Sequence, residues 1–150
     1  MDKNQMLGVT KEIEVMVRED MTARLGGHKI HPLLSSCSLI QEMEWVARLA
    51  IIDFLAQDED AIGARIKLKH INATPVGMKI KVLAKIIYVH KNRVNCYVEA
   101  FNNHHKIGSG SIEQVIVKKK WLEQKINKLY NLIKGEELND QNDGNLQKTS

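Results

Sequence analysis

Between Ser36 and Gln57 the chain reads SCSLIQEMEWVARLAIIDFLAQ, and its apolar residues recur at helical spacing. At about 100° per residue, Ile40, Met43, Ala47, Ala50, Ile51 and Phe54 share one arc, which Val46, Leu49 and Ile52 widen. A helix apolar on almost every side is expected to be buried. Glu44 falls on the edge of that arc, one turn after Ile40 and one turn before Ala47 and Arg48. A carboxylate in that position needs an explanation.

Elsewhere the pattern alternates with the period of two that marks half-buried strands. Ile13, Val15 and Val17 alternate with polar neighbours between Thr10 and Arg18. Four more runs follow the helix at 61–72, 78–90, 93–101 and 107–117, joined by breaks rich in turn-forming residues. In the first of these Ala64, Ile66, Leu68 and His70 share one face, opposite Arg65, Lys67 and Lys69. Parallel strands would need helical crossovers, so short turns imply an antiparallel meander. Its apolar face needs cover, and only the 36–57 helix is long and apolar enough. The expectation is an α+β chain with a five-stranded antiparallel sheet wrapped around that helix, which is the hot dog arrangement.

Three segments fall outside this scheme. Residues 1–8 are expected to be loose. Residues 19–34, with Gly26-Gly27, Pro32, His28 and His31, look like a connecting segment that could act as a lid. Residues 118–134 place Leu122, Ile126, Leu129 and Ile133 at helical spacing, predicting an amphipathic helix stopped by Gly135, with 135–150 a disordered polar tail. The domain is expected to cover 1–134.

Composition narrows the function classes. A chain of 150 residues is one domain by the usual prior and can bury a core without staples. Cys37 and Cys96 show no metal-binding spacing and read as reduced core thiols. With no apolar run of membrane length or leader-like segment, the chain reads as soluble and cytoplasmic, with no membrane partner. Residues 135–150 carry −3, so the rest carries +7, which favours an anionic partner. The lysines at 67, 69, 79, 81 and 85 with Arg65 form an outer sheet face, and no interleaved aromatic residues suggest nucleic acid.

Three polar features interrupt apolar faces. Glu44 reads either as an ion pair with Arg48 or as a carboxylate in a partly dry cleft, suited to general-base or nucleophilic work. His70 reads either as a core histidine or as a side chain at a strand end, since Pro75 and Gly77 turn the chain just beyond it. Ser35, Ser36 and Ser38 cluster where the helix begins, fit to cap it or to meet a polarised oxygen.

HINATPVGMKIKV followed by NRVNCYVEAFNNHHKIGSGSIEQVIV resembles the hot dog thioesterase family typified by fluoroacetyl-CoA thioesterase. In that family a hydroxyl residue lies eight positions before a Met-Glu pair, and a strand ending in His-x-x-x-Thr-Pro-Val-Gly follows the Glu by 26; Ser36, Met43-Glu44 and His70 keep both spacings. Gly63, seven residues before His70, matches the family glycine near the thioester carbonyl. The likeness runs from about Val9 to Lys119. It implies a homodimer with sites at the subunit interface, hydrolysing an acyl-CoA thioester, with no metal or other cofactor. It also implies Ser36, Glu44 and His70 as catalytic residues and Gly63 as a substrate-binding one. The family's Ala-Thr-Pro is Ser35-Ser36-Cys37 here, and 24–34 lacks the phenylalanines that the fluoroacetyl-selective member carries in its lid. The expected substrate is therefore a short or small acyl-CoA rather than fluoroacetyl-CoA in particular. The rival readings are a non-catalytic acyl-CoA binder or sensor, and another acyl-thioester enzyme of this fold such as a dehydratase.

Overall fold

In the computed structural model, which describes residues 2–146, the alternating segments become strands and the long apolar segment becomes a helix. In chain order these are β1 (Thr10–Met16), β2 (Thr22–Leu25), β3 (His28–Leu34), α1 (Ser36–Ile51), β4 (Glu59–His70), β5 (Lys79–His90), β6 (Arg93–Phe101), β7 (Lys106–Lys118) and α2 (Lys119–Leu146). The chain divides into two units, residues 1–116 and 117–150. The first holds α1 and almost all of the sheet.

Five strands form one sheet in the order β1-β5-β6-β7-β4, with β1–β5, β5–β6 and β6–β7 antiparallel. Alternate residues of β5 and β6, Ile80, Val82, Ala84, Ile86, Val94, Cys96, Val98 and Ala100, point inward and are buried. Against them α1 sets Leu39, Met43, Val46, Ala47, Ala50 and Ile51. Each large aliphatic side chain so buried stabilises the fold by about 1.5–3 kcal/mol, so the helix and the sheet's concave face hold each other. This is the expected hot dog arrangement.

Several boundaries differ from the expectation, each for a local reason. α1 stops at Ile51 and tightens into a 3-10 turn over Ile52–Phe54, so Phe54 and Gln57 lie outside it. Residues 22–34 form a hairpin rather than an irregular connection, because Gly26 and Gly27 take φ of 57° and 79° and supply the left-handed turn a hairpin needs. The N-terminus is not loose: Asp2 caps a 3-10 turn over Lys3–Met6, and Met6 is buried. Cys96 is buried as expected, whereas Cys37 is exposed on the first turn of α1. Burial pushes the Cys96 thiol up to about 12, since a thiolate there would be desolvated.

In the second unit α2 runs on to Leu146, past Gly135 and into the segment expected to be disordered. Gly135 does not adopt the positive φ of a C-terminal cap, and Glu136, Glu137 and Leu138 are good helix formers that carry the helix onward. Residues 147–150 lie outside the described residues. Among the described residues no helix is long and apolar enough to cross a membrane.

The two edges of the sheet differ. β1 is charged, and its Glu12 and Glu14 pair with Lys81 and Lys79 at 3.2 and 3.1 Å, which discourages further strand pairing. On β4 residues 63–67 are exposed, although α1 reaches the strand at Ala61 and Gly63. The side of α1 beside them is open too, with Trp45 49% exposed. A helix expected to be covered all round is thus bare on one side.

β4 joins the sheet only because β7 is glycine where they touch. A side chain at Gly110 would overlap the Lys67 carbonyl, and one at Gly108 would meet Leu39 and the Lys69 carbonyl. Gly110→Ala is predicted to cost about 1–3 kcal/mol, as overpacking does. Gly135→Ala, whose added methyl meets nothing within 4 Å, should leave the melting point of the sheet unchanged. Thermal melts of the two variants check this, and equal midpoints would contradict it.

Candidate functional site

The start of α1 sorts its serines by role. Ser35 is the N-cap: its Oγ accepts from the Ser38 N–H at 3.0 Å and donates to the Ser38 hydroxyl at 3.0 Å. That leaves Ser36, in the first helical turn, free to face outward. Its Oγ lies 2.8 Å from His70 Nδ1 in a hydrogen bond. His70 is the last residue of β4, held there because Asn72 donates to the Lys106 carbonyl at 2.8 Å and Gly77 takes a φ of 89° at the following turn.

Desolvation lowers the His70 pKa below its ordinary 6.5, and the nearby Asn72 backbone opposes part of the shift. The ring is therefore neutral at neutral pH, so Nδ1 can accept the Ser36 proton. Its second nitrogen, Nε2, is buried and has no hydrogen-bond partner at ordinary geometry among the described residues. Hydroxyl and imidazole open into a cavity of about 580 Å³, bounded by the β2–β3 hairpin, the start of α1 and residues 70–73. A hydroxyl bonded to a neutral imidazole is the arrangement that nucleophilic catalysis requires.

Glu44 lies elsewhere. Eight residues at about 1.5 Å each set it roughly 12 Å further along the helix axis than Ser36. It lines a second cavity, of about 480 Å³, with Gln41, Trp45, Arg48, Gly63 and Gln114. A Cβ on Gly63 would overlap the Glu44 Oε1, so the glycine makes room for the carboxylate. Arg48 does not pair with Glu44. It donates to Asp60 at 2.7 Å and to the Ala61 carbonyl at 2.8 Å, leaving the Glu44 carboxylate without a hydrogen-bond partner among the described residues. One chain thus brings Ser36 to His70 and Glu44 to Gly63, and keeps the two pairs in separate cavities.

Gln114 was not singled out from the sequence. It shares the inward face of β7 with Ile112 and Ile116 and is only 2% exposed. A glutamine at the centre of the Ile-x-Gln-x-Ile alternation was the available signal. Of the hairpin histidines, His31 is exposed and lines the Ser36 cavity, while His28 is exposed at the start of β3. Among the described residues no cluster of His, Cys, Asp and Glu is suited to hold a metal.

A family model for fluoroacetyl-CoA-specific thioesterases matches residues 17–120. The fluoroacetyl-CoA thioesterase of Streptantibioticus cattleyicolor is 32% identical over 75 residues, which are 50% of this chain and 54% of that protein. The match thus spans about half the length of that curated relative. A hypothetical protein of Thermus thermophilus from the thioesterase superfamily superposes with a TM-score of 0.83 at 30% identity, over 86% of this chain and 96% of that one. The solved structure of a fluoroacetyl-CoA thioesterase gives 0.77 at 22% identity, over 81% and 95%. A hot-dog-like protein of Thermanaerovibrio acidaminovorans gives 0.80 at 19%, over 87% and 98%. At those last two identities the likeness is one of fold.

The lowered His70 pKa carries a sign that can be measured. Because the folded value lies below 6.5, the stability this group contributes is present above about pH 6.5 and is lost as pH falls through the folded value. A histidine NMR titration at dilutions where the chain is monomeric should place the His70 midpoint below the ordinary 6.5. A midpoint at or above that value would contradict the desolvated placement.

Proposed function

The chain belongs to the fluoroacetyl-CoA-specific thioesterase family, and from that premise we propose that it is an acyl-CoA thioesterase. The observation that carries the reading is the hydrogen-bonded Ser36–His70 pair at the head of the central helix. A non-catalytic binder has no need of a nucleophile with a neutral base held against it. The acyl group is short or small, received by the cavity under the β2–β3 hairpin. Its hairpin carries Arg24 and His31 and no phenylalanine, so selectivity for a fluorinated acyl group is not part of the proposal.

The working form is a homodimer in which each site takes residues from both chains. Two features support this: the exposed stretch 63–67 of the edge strand β4 and the exposed Trp45 beside Glu44. An antiparallel pairing of two β4 edges would bring the Gly63 end of one strand beside the His70 end of the partner's. Glu44, packed on Gly63, would arrive with it, on the side of the partner's Ser36 and His70.

The chemistry then runs in two steps. His70 Nδ1 takes the Ser36 proton as the hydroxyl oxygen attacks the thioester carbonyl, and the Gly63 N–H steadies the oxyanion. The carbon–sulfur bond breaks, and the CoA thiolate leaves with the proton from His70. Water then attacks the acyl-serine ester, with Glu44 accepting its proton. The free acid departs, and the proton returns to Ser36. All of these groups are side chains or main chain of the protein. Two free thiols, one buried, are consistent with work in the cytoplasm.

Release of free thiol from a panel of acyl-CoAs tests the reading. Wild type should turn over short acyl-CoAs, and Glu44→Ala and His70→Ala should each lower kcat by about 100-fold or more, the scale of a lost general acid or base. The wild-type kcat/KM profile should fall on its acidic side, because protonated His70 cannot accept from Ser36. Binding of CoA esters without turnover would sink the enzyme reading; full activity in both variants would sink the assigned site.

A further inference from the structure

Almost all of α2 lies beyond the residues that the family model matches, which end at 120, and the helix carries an apolar line that its own chain leaves largely exposed. Leu122, Ile126, Leu129 and Ile133 recur at alternating intervals of four and three, and the last three are 43–52% exposed. At about 100° per residue the four fall within roughly 60° of arc. A helix that packs on a broad core shows an apolar stripe of about 100° or more, and a narrower one is the seam by which two helices pair. The same alternation reaches one position further at each end, to Lys119 and Glu136. Along that edge the helix reads Lys-Leu-Ile-Leu-Ile-Glu.

That order is complementary to its own reverse. In a two-fold pair of antiparallel helices, if one residue meets a second, the second meets the first on the other side of the axis. With the axis between Asn127 and Lys128, Leu122 meets the partner's Ile133, Ile126 meets the partner's Leu129, and Lys119 meets the partner's Glu136. Each layer then sets leucine on isoleucine or an ammonium on a carboxylate. A parallel pair would place Lys119 on the partner's Lys119 and Glu136 on the partner's Glu136, and like charges so placed oppose pairing. We propose that α2 is a docking surface for a second copy of this chain, whose own α2 packs against it antiparallel along the line from Lys119 to Glu136. The flanks agree with this pairing. Lys125 comes beside the partner's Leu132, which its methylene stem can cover, and Glu123 comes beside the partner's Tyr130, whose hydroxyl can donate to it. A lipid surface calls for a broad apolar face bordered by basic residues, whereas Glu136 and Glu137 stand at the border of this narrow one. The pairing concerns α2 alone and does not depend on the thioesterase reading.

Disulfide trapping in the full chain tests it, in a Cys37→Ser background that removes the exposed native thiol. Leu122→Cys and Ile133→Cys proteins are mixed, left to exchange and oxidised. The mixture should give cross-linked pairs, and each protein alone should not, because antiparallel pairing sets identical copies of either position about 16 Å apart along the helix axis. Ile126→Cys mixed with Leu129→Cys gives a second trap, at exposed positions. Adding Glu136→Lys to the Ile133→Cys protein should slow cross-linking by about fivefold at low salt, the scale of one exposed ion pair. Adding Lys119→Glu to its Leu122→Cys partner should restore the rate. Self-linking of the Leu122→Cys or Ile133→Cys protein alone would overturn the antiparallel pairing. No cross-link in either mixture would overturn α2 as a surface for a second copy, and binding of the wild type to phosphatidylserine vesicles would then assign the apolar line to lipid. Thiol release enters none of these readouts, so failure of the thioesterase reading stays distinct from failure of the pairing.

Discussion

One helix has to cover the concave face of a five-stranded sheet, and in a single chain it covers too little. The side chains of α1 from Leu39 to Ile51 pack against β5 and β6, where apolar burial is worth most. That contact fixes the helix over the sheet and leaves residues 63–67 of β4 exposed. Every notable feature of the candidate site lies at the limit of that cover. His70 ends β4, Gly63 lies within it, and Glu44 rides on the edge of the helix that faces it. In the proposed homodimer a second copy of the chain covers that exposed stretch.

The placement of polar groups follows the same constraint. Where α1 and the sheet close together, the structure tolerates only apolar side chains, glycine and the small thiol of Cys96. Where cover runs out, it admits a neutral imidazole, a carboxylate and an amide, each with a hydrogen-bonding atom that the described residues leave unanswered. Such atoms are costly in a dry place. Two of the buried unanswered atoms among the described residues, on His70 and Gln114, fall at this margin, and a third, Asn95 Oδ1, lies on β6.

Much of this was legible in the sequence, because the sheet and helix are written in periods of two and three to four. The strand faces of β5 and β6 and the inward arc of α1 follow directly from alternation. The spacings from Ser36 to Glu44 and from Glu44 to His70 carried the family resemblance. What the sequence could not show was how the parts meet. Linear spacing said nothing of Ser35 taking the cap and so releasing Ser36, or of Arg48 turning to Asp60 instead of Glu44. Gly26-Gly27 read as a break where its backbone makes a hairpin turn, and Gly135 read as a stop where its neighbours favour helix. Gln114 escaped notice because one glutamine in a strand is unremarkable until its burial is known.

The central claim is that each site takes Ser36 and His70 from one chain and Glu44 with Gly63 from its partner. Mixing Glu44→Ala and His70→Ala proteins under subunit exchange tests it most directly. If the claim holds, each mixed dimer contains one site with both defects and one with neither, so two inactive preparations together should recover roughly a quarter of wild-type thiol release, as two-fold symmetry requires. If all three residues act within one chain, every site in the mixture carries a defect. No recovery after verified exchange would contradict the account.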